Sequence, residues 1–199
     1  NLVPSVAVSL TTTTYLNGTT TTNTNSSGVA IFSSLSITST GAYQLSARAG
    51  AIGPLNSNNF NITPSVANNL TFSTQPPASA VAGATTLAAQ VTVRDQYNNL
   101  VPSVAVSLTT TTQLNGTTTT NTNSSGLAIF SGLYITTTGT YALTATALGV
   151  YPDVLSGLFN ITPAAANNLI FTTQPANSVA GATTIAAQVD ALRSPGEQD

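Results

Sequence analysis

The sequence contains no cysteine, histidine, methionine or tryptophan, and among its 199 residues only 3 are basic and 5 are acidic. Without imidazole or thiol groups, the chain has no general base of the histidine type, no thiolate nucleophile, no zinc site and no disulfide. The acidic residues are not spaced as a pair across a cleft, and 3 of the 5 lie in the last ten residues. These absences predict a protein that is not an enzyme and that uses no cofactor and no metal.

Positive charge is scarcest of all, since the chain has no lysine and its arginines, Arg48, Arg94 and Arg193, lie far apart. Nucleic acids are bound through clustered lysine and arginine side chains, so we expect no nucleic-acid partner. No apolar run approaches the roughly 18 residues of a membrane-spanning helix, so we expect no membrane span.

What the sequence does contain is apolar residues at 41% and many small polar side chains: 37 Thr, 21 Ser and 19 Asn. Residues 1–43 recur as residues 99–141 with six differences, and residues 68–76 recur as 167–175. Residues 81–91 recur as 179–189 with one difference. The chain is therefore a tandem repeat with a unit of about 98 residues.

Alternating apolar and polar residues within the repeat predict half-buried strands. Leu87, Ala89, Val91 and Val93 share one parity in LAAQVTVRD, and YALTATA alternates in the same way. GLAIF at residues 126–130 is ambiguous, because either of its two parities could face inward. Turn sequences such as Asn-Gly separate the strands, and Asp95 in DQYNN is expected to cap a turn rather than to bind calcium.

Six or seven short strands in about 98 residues are typical of an immunoglobulin-like (Ig-like) β-sandwich. The order x-Q-P, A-G, V-T-V-x-D, V-x-V-x-L, N-G-T, S-G-x-A-x-F and G-x-Y-x-L-x-A resembles the Ig-like tandem repeats of bacterial and archaeal surface proteins, the stalk modules of invasin and intimin. The resemblance extends to about Val189. It implies an all-β chain of tandem Ig-like β-sandwich modules and a location outside the cell or on its surface.

The position at which the repeat is cut suggests how the chain is used. We expect one complete module at residues 65–163, a partial module at 1–64 that lacks its opening strands, and the opening strands of a further module at 164–199, followed by a charged tail. Neither partial module closes a sandwich alone, because each leaves half of an apolar face and unpaired strand edges.

Two hypotheses follow. In the first, the chain is a subunit of a pilus-like extracellular filament, in which residues from one copy complete the partial module of the next, head to tail. In the second, it is a spacer segment of a large tandem-repeat adhesin whose neighbouring modules are covalently continuous. The charged sequence DALRSPGEQD after Val189 favours the first.

The first hypothesis names the residues that meet. The candidate donor strands carry Leu169, Phe171, Ile185, Ala187 and Val189. The candidate acceptor face consists of Val6, Val8, Leu10, Phe32, Tyr43 and Leu45. The expected partner is another copy of the chain, in a homopolymer whose fibres also bundle laterally, because no lysine guards the strand edges against pairing.

Asparagine glycosylation is the modification that the sequence predicts. Seven Asn-x-Ser/Thr sequons occur, at Asn17, Asn25, Asn61, Asn69, Asn115, Asn123 and Asn160. Glycans would supply hydration to a surface that has few charges.

Overall fold

Threonine, valine and alanine favour extended backbone, and all of the long regular structure is β-strand. The structure is a computed structural model that describes residues 1–183 and 185–192. Within these residues there are 18 strands, and the prediction of an all-β chain is confirmed. No helix in this part of the chain is long and apolar enough to cross a membrane.

The strands divide between two units, of which unit 1 comprises Asn1–Ala67 and Arg94–Val101. The strands up to residue 62 are β1 Ala7–Thr11, β2 Thr21–Asn23, β3 Gly41–Tyr43, β4 Ser46–Ala49, β5 Ile52–Asn56 and β6 Phe60–Ile62. They form a four-stranded sheet of order β2-β1-β4-β5 and a two-stranded sheet of β3 and β6.

Unit 2 comprises Asn68–Val93 and the chain from Pro102 onward. Its opening strands are β7 Ala67–Thr74, β8 Ser79–Val81 and β9 Leu87–Asp95. The next strands are β10 Ala105–Thr109, β11 Thr119–Asn121, β12 Leu127–Leu133, β13 Gly139–Tyr141, β14 Thr144–Ala147, β15 Val150–Leu155 and β16 Phe159–Thr162. The last two are β17 Asn168–Thr173 and β18 Gln188–Leu192.

Unit 2 repeats the sheet of unit 1 and adds a cover to it. Its four-stranded sheet has the order β11-β10-β14-β15, matching β2-β1-β4-β5, and its three-stranded sheets are β12-β9-β7 and β13-β16-β8. Strands β17 and β18 form a separate two-stranded ribbon. Val106 and Leu108 of β10 and Val91 of β9 are all buried, so the sheets enclose an apolar core, as in a β-sandwich.

The ladder between β12 and β9 resolves the ambiguity of GLAIF. Ala128 pairs with Val91, and Phe130 pairs with Ala89. These four side chains are buried, whereas Ile129 is exposed. The inward face of β12 therefore belongs to Ala128 and Phe130.

The Asn-Gly turn of the repeat requires glycine for a geometric reason. Gly116 has φ +99°, and a Cβ atom there would lie 2.9 Å from the carbonyl oxygen of Gly132. Gly18 has the same φ in unit 1. A positive φ angle and so close an approach of another carbonyl oxygen both disfavour a residue with a Cβ atom. This explains why the turn has glycine in both copies of the repeat.

Candidate functional site

The candidate site is the apolar surface of unit 1 that corresponds to the core of unit 2, which we call the open face. It is formed by inward-facing residues of β1, β4 and β6 and by the segments around residues 16 and 29–37. Its members are all half-buried: Val8, Leu10, Leu16, Phe32, Leu35, Ile37, Leu45, Ala47, Phe60 and Ile62.

The equivalent residues of unit 2 are all buried. They are Val106, Leu108, Leu114, Phe130, Leu133, Ile135, Leu143, Ala145, Phe159 and Ile161. Because the two residues of each of these ten pairs are identical, the difference in burial does not come from the residues themselves. The difference in burial comes from the strands that cover these residues in unit 2.

The cover in unit 2 consists of β7, β8 and β9, which have no counterpart in unit 1. The inward side chains of this cover are buried: Leu70, Ala80, Ala82, Leu87, Ala89, Val91 and Val93. A side-chain hydrogen bond fixes the end of β7, since the Gly157 amide donates to Gln75 Oε1 at 2.8 Å.

Two clefts mark the uncovered area of unit 1. One, of about 160 Å³, is lined by Leu16, Leu35, Ser36, Ile37, Leu45, Phe60 and Ile62. The other, of about 140 Å³, includes Val8, Ala47 and Ile52. The contrast is largest at Ile52, which is 75% exposed, whereas Val150, at the same place in unit 2, is 1% exposed.

Strand edges are vacant as well. In unit 2, β16 pairs with β13 on one side and with β8 on the other. In unit 1, β6 pairs with β3 alone among the described strands. The segment 29–35 forms no strand, although its counterpart is β12. Unit 1 therefore lacks both side-chain packing and backbone hydrogen-bond partners along this face.

The predicted acceptor residues all lie in unit 1 and are half-buried: Val6, Val8, Leu10, Phe32, Tyr43 and Leu45. Tyr43 has a structural role too. Its hydroxyl donates to the Ser39 carbonyl oxygen at 3.1 Å, and its ring lies 6.3 Å from that of Phe60. Tyr141 and Phe159 repeat the ring contact in unit 2.

The prediction missed several members of the open face, among them Leu16, Leu35, Ile37 and Ile62. The signal for them was present in the sequence. Each has an apolar counterpart at the same repeat position, and LxI in residues 35–37 alternates with period two.

The predicted donor residues lie in the β17–β18 ribbon and in the segment before β18, and all are exposed: Leu169, Phe171, Ile185, Ala187 and Val189. Every residue of β17 and of β18 is exposed. Leu169 is 68% exposed, whereas Leu70, its counterpart in β7, is 2% exposed. The ribbon thus presents the apolar side chains that the cover of unit 2 buries.

The chain has one buried carboxylate among the described residues, and it lies in unit 1. Asp95 accepts hydrogen bonds from the amides of Ser65, Tyr97 and Asn99 and from Asn99 Nδ2, at 2.8 to 3.0 Å. Asn99 in turn donates to the Thr38 carbonyl oxygen at 2.7 Å. The prediction that Asp95 caps a turn is confirmed.

Burial raises the pKa of Asp95, but the hydrogen bonds from Asn99, Ser65 and Tyr97 together outweigh it, so the pKa lies below the usual 3.8. The carboxylate therefore stabilises unit 1 in its charged form. This network reaches across the sequence, since Asp95 stands 30 residues from Ser65.

The sequons fall into two geometric groups. Asn17 and Asn115 are half-buried, and their Nδ2 atoms donate to the carbonyl oxygens of Ser36 and Tyr134. Asn25 and Asn123 are exposed, and their side-chain Oδ1 atoms accept hydrogen bonds from backbone amides of the following turn. Asn61, Asn69 and Asn160 are exposed residues of β6, β7 and β16.

No known protein family matches the sequence, and no curated protein is similar to it. Among solved structures, the D0-D1 domain of intimin is similar at 23% identity and a TM-score of 0.39, over 80% of this chain and 83% of that one.

Two further solved structures have longer chains. InvD of Yersinia pseudotuberculosis matches at 16% identity and a TM-score of 0.46, over 91% of this chain and 56% of that one. Invasin, described as a bacterial integrin-binding protein, matches at 19% identity and a TM-score of 0.39, over 86% of this chain and 36% of that one. Two of these three structures come from intimin and invasin, the proteins whose stalk modules the sequence resembles.

Proposed function

We propose that this chain is a structural segment of a cell-surface stalk built from tandem Ig-like modules, with a spacing rather than a catalytic role. The observation that carries the proposal is the open face. Its residues are buried in unit 2 and half-buried in unit 1, and this difference supports a role for unit 1 as a module that strands from a neighbouring module complete. Modules that share strands in this way form a continuous fibre.

The size and location of the native protein test this proposal. Antibodies raised against residues 99–163 should label intact cells, and denaturing electrophoresis of native material should show a species several times larger than 20.0 kDa. Label that appears only after permeabilisation would overturn the location and with it the stalk.

A second candidate function is a pilus-like filament, in which the neighbouring module belongs to another copy of the chain. The observation that favours it is the β17–β18 ribbon. All residues of its two strands are exposed, although the matching strands β7 and β9 bury Leu70, Ala89 and Val91. Lateral bundling of such filaments fits strand edges without lysine. Native material would then consist of subunits near 20.0 kDa.

Glycosylation forms part of either candidate, and Asn25 and Asn123 are the positions where we propose it. Both are exposed, and their hydrogen bonds use Oδ1 and not the Nδ2 atom to which a glycan is attached. Mass spectrometry of native peptides tests it: only unmodified Asn25 and Asn123 peptides would refute the assignment.

A further inference from the structure

The pairing of β12 with β9 in unit 2 is a template for what the open face of unit 1 lacks. Ala128 pairs with Val91, Ile129 with Gln90 and Leu133 with Leu87. One face of this ladder is buried in the core, while Ile129 is exposed on the other.

The same sequence takes two conformations in the two units. Residues 29–35, VAIFSSL, form no strand in unit 1, whereas LAIFSGL at residues 127–133 is β12. Only two of these seven positions differ, Val29 and Ser34, which correspond to Leu127 and Gly132. The strand conformation therefore depends on the partner strand and not on the segment itself, as β-propensity generally does.

The β17–β18 ribbon retains the arrangement of that partner. The strand order β12-β9-β7 places β9 beside β7, and the ribbon likewise places β18 beside β17. Phe171 pairs with Val189, and Thr173 pairs with Gln188. The two donor strands are thus paired with each other before they meet the open face.

The sequence of the ribbon closely matches that of strand β9 at residues 185–189. Ile185 replaces Leu87, and Ala187, Gln188 and Val189 are identical to Ala89, Gln90 and Val91. The correspondence ends at Asp190, which stands where β9 has Thr92. Residues 185–189 carry no charge, so these five residues can be buried against the apolar face without an unpaired ion. Asp190 takes the place of Thr92, which is 6% exposed, and its Oδ1 accepts a hydrogen bond from Thr172 Oγ1 at 3.4 Å.

We infer that the β17–β18 ribbon of one copy docks on the open face of a second copy with Gln188 opposite Ile31, and that docking converts residues 29–35 into a strand. In this register Ile185 lies opposite Leu35 and Val189 opposite Ala30. Gln174, the counterpart of Gln75, accepts a hydrogen bond from the amide of Asn58. The inference rests on the second candidate function and adds the partner segment and the register to it.

Disulfide trapping tests the register, and the absence of cysteine makes the background clean. Paired Cα atoms of an antiparallel ladder lie about 4.5 to 5.5 Å apart, which is within the range that a disulfide spans. Full-length Ile31→Cys and full-length Gln188→Cys are mixed, oxidised mildly and separated by non-reducing electrophoresis. We expect a mixed dimer as the main product.

Two matched variants control the experiment. Val189→Cys, mixed with Ile31→Cys, places the second thiol on the opposite face of the strand, because a shift of one residue reverses the side. We expect at least a tenfold lower yield of mixed dimer. Within one chain, Ile129→Cys with Gln90→Cys reproduces the template pair and confirms that the oxidation works at this site.

A second measurement does not depend on cysteine. Amide hydrogen exchange of residues 29–35 in the wild-type chain should slow at least tenfold between dilute and self-associated samples, because these amides gain strand partners. Equal mixed-dimer yields for Gln188→Cys and Val189→Cys, or exchange that is unchanged on association, would overturn the inference. The subunit size of native material decides the filament separately, so a wrong register and a wrong function give different results.

Discussion

Units 1 and 2 contain nearly the same 43-residue sequence in two environments. In unit 2 its apolar residues form a core beneath β7, β8 and β9, and in unit 1 the same residues line two clefts. The segment that is strand β12 in one unit is irregular in the other. The comparison shows that the alternating apolar residues define an apolar face of the sheet in both units. Whether that face becomes a buried core depends on the strands that cover it.

The largest expected difference between the units comes from one aromatic residue. Phe130→Ala should destabilise unit 2 by about 3 to 5 kcal/mol, because a fully buried phenylalanine leaves a cavity. Phe32→Ala, its matched counterpart in unit 1, should cost only about 1 kcal/mol in dilute solution, because Phe32 is half-buried. Denaturant unfolding of both variants measures this, and equal costs would contradict the open face.

The second prediction concerns association through the ribbon. Val189→Ser or Phe171→Ser should weaken self-association by roughly 10- to 100-fold, since each removes about 1.5 to 3 kcal/mol of apolar burial, and should leave unit 2 folded. Val179→Ser is the control, because its counterpart Val81 stays exposed in unit 2. Sedimentation velocity measures the effect. If Val179→Ser weakens association as much as Val189→Ser, the donor assignment is wrong.

The third prediction concerns Asp95, the carboxylate of unit 1 that is buried. A lowered pKa means that Asp95 contributes its full stabilisation above the unfolded value of 3.8 and loses it as the pH falls through the lower folded value. Asp95→Asn should cost about 2 kcal/mol at pH 7 and should remove part of the acid sensitivity of unit 1.

Thermal unfolding at pH 7 and at pH 2.5 checks the role of Asp95. The exposed Asp153 of β15 provides the matched control, Asp153→Asn. A similar loss of stability at pH 7 in both variants would show that the hydrogen bonds to Asp95 contribute nothing.

The smallest expected change in stability concerns two equivalent threonines, and it should be the same in the two units. Thr12 Oγ1 and Thr110 Oγ1 are buried without a hydrogen-bond partner among the described residues. Thr12→Val and Thr110→Val should each stabilise their own unit by about 1 kcal/mol, because a desolvated hydroxyl is removed. Differential scanning calorimetry measures both, and destabilisation by either variant would mean that its hydroxyl is bonded in solution.

The sequence predicted the strands, the repeat and the cap at Asp95, because these depend on local alternation and turn chemistry. In LAAQVTVRD, parity alone identified Leu87, Ala89 and Val91 as inward. It could not decide GLAIF, where both parities are apolar and the answer depends on the pairing of Ala128 with Val91, some 37 residues away.

Non-local contacts account for the rest of what sequence reasoning could not predict. The hydrogen bond from the Gly157 amide to Gln75 Oε1 joins residues that are 82 positions apart, and no local sequence pattern predicts it. The irregular conformation of residues 29–35 could not be predicted either, because their sequence is almost identical to that of β12. The contacts of Asn99 with Thr38 and Thr40 also join residues about 60 positions apart.

The near-identity of the two repeats has a kinetic consequence. A ribbon that fits the open face of unit 1 fits the equivalent face of unit 2 almost equally well, so side chains alone do not direct it to the correct one. Strands β7 to β9 are tethered to the face that they cover, at an effective concentration in the millimolar range that a separate copy does not match. Chain connectivity, rather than sequence, therefore selects which face stays vacant for a partner.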